Sequence, residues 1–120
     1  MSDTTLMQAT EFDTSGSVLR ITTHKLHEHE SSLLIQECKA YFENSGRNLV
    51  CIDFEQVEFI SSAALGAMVT LNTELARLGG RLVVINLNEN AMQVIKLTRL
   101  DKLIPVEKNV KNAQKRLLKG

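Results

Sequence analysis

Apolar positions in this chain recur with two different periods, and the changes from one to the other mark out its elements. In the run "SVLRIT" (17–22), Val18, Leu19 and Ile21 follow the turn-forming "DTSG", which predicts a strand. A weaker strand over Leu6 to Phe12 would pair with it as a hairpin. From about Glu28 to Asn44 the period lengthens. Leu34, Ile35, Cys38, Tyr41 and Phe42 recur at spacings of three and four, as on one helix face, and "NSGRN" ends the helix with Gly46 as a left-handed cap. "LVCIDF" (49–54) is nearly all apolar, the pattern of a central strand buried on both faces.

A second helical stripe follows in Ala64, Leu65, Met68, Leu71, Leu75 and Leu78, closed by Gly79 and Gly80. "RLVVINL" predicts another buried strand. "NENAMQVIKLTRL" predicts a third helix capped by Asn88, with Ala91, Val94, Ile95 and either Leu97 or Thr98 facing inward. "KLIPVE" predicts a short final strand whose Pro105 suits an edge or a strand end. "NVKNAQKRLLKG" predicts a last helix with Val110, Ala113 and Leu117 on one face. The order β-β-α-β-α-β-α-β-α predicts an α/β fold. It would be a single domain over residues 1–120, a mixed β-sheet covered by about four α-helices.

Composition excludes several functions. A chain of 120 residues suits one core, and 43% apolar residues argue against disorder. Fourteen basic residues balance fourteen acidic ones, which argues against electrostatic capture of nucleic acid or of an anionic membrane. Aromatics are 4% with no Trp, too few for base-stacking platforms. Cys38 and Cys51 lie in apolar patterns without metal spacing and read as buried small hydrophobes in a reducing compartment, a disulfide being the alternative. The start, "MSDTTLMQAT", lacks the basic and apolar regions of a signal peptide, and no apolar run approaches the ~18 residues that span a bilayer. A cytoplasmic protein without membrane insertion is expected.

The stretch that carries candidate chemistry is "FISSAALGAM" (59–68), where an apolar run meets two serines and then a helix. One serine can cap the helix by accepting a backbone N–H. The second is less well explained by capping, and the positive end of a helix tolerates an anion such as a serine phosphate. A serine hydrolase does not fit. Ile60 and Ala64 stand where a nucleophile elbow needs glycines around Ser62, and no histidine follows Ser62. "ALGAM" and "LGGRL" lack the lysine and spacing of a phosphate-binding loop. In "HKLHEHE" (24–30), His24, His27 and His29 match no zinc spacing, and the segment reads as a solvated loop with Glu28 and Glu30 in the first turn of a helix. The basic tail "KNVKNAQKRLLKG" reads as a solvated helix face, with a weak contact to an acidic partner as the alternative.

The run "LVCIDFEQVEFISSAALGAMVTLNTELARLGGRLVVIN" resembles the centre of a STAS domain, the fold of bacterial anti-sigma-factor antagonists. The family pattern is a buried strand, then Asp-Ser-(Ser/Thr/Ala)-Gly-Leu-Gly opening a helix, then a Gly-Gly turn and a further strand. "LTRLDKLIPV" (97–106) is similar to the family's C-terminal part. Leu65 and Gly66 match the Leu-Gly, and Ser62 falls on the phosphorylated serine. Ser61 replaces the family Asp and Ala64 the family Gly.

The resemblance implies a partner-switching regulator of transcription or another output, a phosphoprotein rather than an enzyme, monomeric and without a cofactor of its own. A serine kinase or anti-sigma factor of the histidine-kinase-like ATPase fold, holding ATP and magnesium, would dock on Ser61, Ser62, Ala63, Leu65, Gly66 and Met68. It would phosphorylate Ser62, or less favourably Ser61, and a metal-dependent serine phosphatase would reset the site. The alternative is a STAS scaffold subunit of a transporter or signalling complex, with Ser62 only capping its helix.

Overall fold

The computed structural model describes residues 5–119. Met1 to Thr4, the beginning of the polar leader, and Gly120, the end of the expected last helix, lie outside the described residues. The chain begins with the expected hairpin, β1 (Met7–Phe12) antiparallel to β2 (Gly16–Ile21). The Arg47 guanidinium holds its turn, donating to the carbonyls of Phe12, Asp13 and Gly16. At Gly16 a side chain would collide with the Phe12 ring across the hairpin.

A two-residue strand, β3 (Lys25–Leu26), leads into helix α1 (Glu28–Ser45). Glu28 and Glu30 occupy its first turn, and the Glu30 carboxylate accepts from the His27 N–H at 3.2 Å. Gly46 ends the helix in the left-handed region, at φ 69°. Strand β4 (Leu49–Asp53) follows, then the short β5 (Phe59–Ile60), helix α2 (Ser62–Arg77), strand β6 (Arg81–Ile85) and helix α3 (Glu89–Leu97). A 3-10 turn (Leu100–Lys102) precedes β7 (Val106–Glu107) and helix α4 (Val110–Lys119).

The main sheet runs β1-β2-β4-β6-β7, parallel except for the hairpin. Strand side chains alternate between two cores, as the pleat requires. Leu19, Val50, Ile52, Leu82 and Val84 face α1, α2 and α3, joining Leu34, Cys38, Phe42, Met68, Leu71, Leu75 and Ile95. Val18, Cys51, Val83 and Ile85 face the other way, against Ala113 and Leu117 of α4. Cys38 and Cys51 therefore sit on opposite faces of the sheet as free buried thiols, and the disulfide alternative fails. Burial pushes both thiols up to about 12.

Three details differ from the periodicity. A second, two-stranded parallel sheet pairs β3 with β5, and these strands are too short to leave a pattern. "KLIPVE" contributes only Val106 and Glu107 to the sheet, because Lys102 ends the 3-10 turn, the Leu103 and Ile104 N–H groups fold back onto the Leu100 carbonyl, and Pro105 has no N–H to give. In α3 only Ala91 and Ile95 are buried, while Val94 is 41% and Leu97 83% exposed. The inward face expected there is narrower than drawn, because a nine-residue helix at the border of the sheet meets the core along a single line.

Candidate functional site

The two serines do different work. Ser61 is the N-cap of α2: its backbone is extended (φ −78°, ψ 170°), and its Oγ accepts from the Ala64 N–H at 3.2 Å. Its carbonyl also accepts from Ala64 and Leu65, and its own N–H donates to the Leu26 carbonyl at 3.0 Å. Ser61 thus ties the helix start to the end of the β3–β5 ladder. Ser62 is the first helical residue and is exposed. Capping, which the scaffold alternative gave to Ser62, is corrected to Ser61, because the helix begins one residue later than Ser61 and leaves the Ser62 hydroxyl with no part in it.

Around Ser62 the helix sorts its residues by face. Ala64 is 2% exposed and Met68 3%, both in the core beneath α1 and α2. Met68, expected on the partner surface, is therefore corrected to a core residue: it lies two residues beyond Gly66, which turns it toward the sheet. Ala63 and Leu65 are half-buried. Gly66 is exposed, one turn after Ser62 on the same face. A side chain added there would meet nothing within 4 Å. Neither a positive φ nor a neighbour demands glycine at this position, although glycine inside a helix costs ~0.5–1 kcal/mol relative to alanine.

Beside Ser62 runs a groove of about 220 Å³ lined by Phe59, Ile60, Leu65, Asn88, Ala91 and Val94, among others. Phe59 is 44% exposed and packs against His27, with the rings tilted by 40° and their centroids 5.0 Å apart. Asn88, exposed along the groove, bridges two segments. Its Oδ1 accepts from the Ala91 N–H at 2.8 Å, capping α3, and its Nδ2 donates to the Glu58 carbonyl at 3.0 Å. The sequence marked Asn88 as a cap but carried no signal of the bridge, which joins residues 30 apart. Phe59 and Val94 were missed because alternation and helical spacing place them in or near the core.

The histidines are dispersed. His24 lies 3.8 Å from Glu58 in a solvent-exposed pair, His27 stands at the N-cap position of α1, and His29 is exposed in its first turn. Two of the three border the β3–β5 ladder beside the serines, so this segment belongs to the rim of the site.

Comparison with known proteins agrees with the fold. The STAS domain family matches residues 8–113. A Thermotoga neapolitana protein named as an anti-sigma factor antagonist is 28% identical over 72 residues, 60% of this chain and 64% of the relative. The chain thus matches less than two thirds of the relative's length. Among solved structures, an anti-sigma factor antagonist of Thermotoga maritima superimposes with a TM-score of 0.80 at 23% identity, covering 92% of this chain and 93% of that one. The phosphorylated form of the Bacillus cell fate determinant SpoIIAA superimposes with a TM-score of 0.69 at 17% identity, over 92% and 97% of the two chains. These two likenesses establish the fold. No described helix is long and apolar enough to cross a membrane.

Proposed function

Since the chain belongs to the STAS family, we propose that it is a partner-switching regulator of the anti-sigma-factor-antagonist kind, with Ser62 as its phosphoacceptor. The observation that carries this reading is the division of labour at the start of α2. Ser61 performs the capping, so Ser62 is exposed and its hydroxyl is available for modification without loss of the helix. The bare backbone at Gly66, one turn on, admits close approach of a partner on the same face, and the groove beside Phe59 and Val94 offers it apolar purchase.

The domain acts as ligand and substrate. A serine kinase or anti-sigma factor of the histidine-kinase-like fold docks over Ser62, Ala63, Leu65 and Gly66. Its ATP and magnesium supply the phosphate, and a metal-dependent serine phosphatase removes it. Phosphate on Ser62 adds nearly two negative charges at the positive end of α2, whose first turn holds no acid, so the fold accommodates it. At a closed interface the same charge, if unpaired, costs several kcal/mol, enough to lower affinity roughly a thousandfold. Phosphorylation then releases the partner while the domain stays folded.

Intact-mass analysis with fragmentation, on protein recovered from its host across growth conditions, tests the reading. One phosphate mapped to Ser62 supports it. A phosphate on Ser61 moves the acceptor and breaks the capping argument. No phosphate under any condition overturns the switch and leaves a STAS scaffold.

A further inference from the structure

The zero net charge conceals a strong asymmetry. Residues 1–95 hold twelve of the fourteen acidic residues and six of the fourteen basic ones; residues 96–120 hold the remaining eight bases and two acids. The fold separates part of these groups in space. Glu28, Glu30, Glu37 and Glu43 lie on α1, which packs against one face of the sheet, whereas α4 covers the other, with Asp53 and Glu107 as the acids beside it.

On α4, Ala113 and Leu117 turn to the sheet, and Lys111, Lys115 and Lys119 follow one another at intervals of four along the opposite, exposed side. Leu118, 49% exposed, sits among them, and Lys108 lies just ahead of the helix. Among the described residues, the ion pair on α4 is that of Arg116 with Glu107, at 2.9 Å, so the lysine row keeps its charge outward.

We propose that this row is a docking face for an anionic lipid bilayer, adsorbing the domain without insertion. Charge complementarity carries the proposal, and shape selects a bilayer over an acidic protein. The row runs about 12 Å along the axis from Lys111 to Lys119, and the surface around Lys115 and Lys119 is shallow and open, with no deep groove to hold a protein segment, which suits a flat fluid surface. The apolar side of α4 is already committed to the sheet, so the helix lies on headgroups with only Leu118 reaching among them.

The acids of α1 do not cancel the attraction, and Glu107 beside the row is matched by Arg116. The molecule measures 37 × 33 × 23 Å, and its shortest dimension exceeds two Debye lengths of ~10 Å at 0.1 M salt. The acids of α1 instead orient the domain, because they are repelled from the surface that the lysines seek. Bound this way, α1, α2 and the groove beside Ser62 face away from the bilayer.

Co-sedimentation of the full chain with vesicles tests the proposal. Vesicles of 70% phosphatidylcholine and 30% phosphatidylglycerol should bind it at about 0.1 M salt, where the acids of α1 are screened, and pure phosphatidylcholine should not. Each lysine contributes about a fivefold gain in partitioning. The Lys111→Glu/Lys115→Glu variant should therefore lose about 25-fold from the two missing attractions alone, with an unchanged circular dichroism spectrum. Raising salt on the wild-type chain should release it, a readout that needs no variant. Equal binding to both vesicle types, or binding indifferent to salt, overturns the proposal. Absence of vesicle binding together with salt-sensitive binding of poly-L-glutamate also overturns it and assigns the face to an acidic protein.

Discussion

Replacing Gly66 with alanine sets stability against recognition at one atom. The added methyl meets no heavy atom within 4 Å and lies on the exposed side of α2, so no clash offsets the gain in helix propensity. That gain is about 0.5–1 kcal/mol for glycine to alanine inside a helix. For a domain of this size, 1 kcal/mol corresponds to a rise of about 4 °C in Tm. A partner seated on the backbone at Gly66 would meet the methyl as overpacking, which costs about 1–3 kcal/mol, or roughly fivefold to 150-fold in affinity. The variant should therefore melt higher by calorimetry yet carry less phosphate at Ser62 when expressed in its host. A lower Tm would refute the reading of Gly66 as sterically free. A higher Tm with unchanged phosphate occupancy would refute its role in partner approach.

The two serines should separate in denaturant titrations: Ser61→Ala loses the cap and costs about 1 kcal/mol, whereas Ser62→Ala stays within about 0.5 kcal/mol of the parent. Asn88→Ala removes both the α3 cap and the bridge to Glu58 and should cost about 1–2 kcal/mol; Asn88→Asp retains the acceptor, loses the donor, and should fall between the two in the same titration. The thiols predict alkaline weakening. Burial raises Cys38 and Cys51 from 9 to about 12, so the unfolded chain releases these protons first. Stability is unaffected by them below pH 9 and declines between pH 9 and 12, by up to about 1 kcal/mol per pH unit for each thiol. Chemical denaturation of a Cys38→Ala/Cys51→Ala variant should show a shallower decline over that range.

Much of the architecture was legible because long elements repeat their signal. Leu34, Cys38 and Phe42 mark α1, Leu71 and Leu75 mark α2, and the near-continuous apolar runs of β4 and β6 mark a parallel sheet covered on both sides. Gly46 and Asn88 as caps were equally plain, because backbone geometry restricts which residues can stand there. What failed had no period to read. The β3–β5 ladder has two residues per strand, and its bonds run between segments more than thirty residues apart. Val94 satisfies the helical rule yet lies at the edge of a groove, because exposure there depends on where the neighbouring elements stop. Met68 is a different case: the helical stripe had already carried it inside, and only its place in the family motif put it on the partner surface. The roles of Ser61 and Ser62 could be separated only when the extended backbone of the first and the helical backbone of the second were known.

That separation also bears on how such a protein can diverge. Serine and aspartate are comparably good helix caps, so a lineage can exchange one for the other at residue 61 with little penalty in folding. The exchange places or removes a full negative charge directly beside the Ser62 hydroxyl, the acceptor proposed above. Position 61 is therefore a site where selection can retune the ease of modifying Ser62 by single substitutions, leaving the core, the sheet and the rest of the recognition surface untouched.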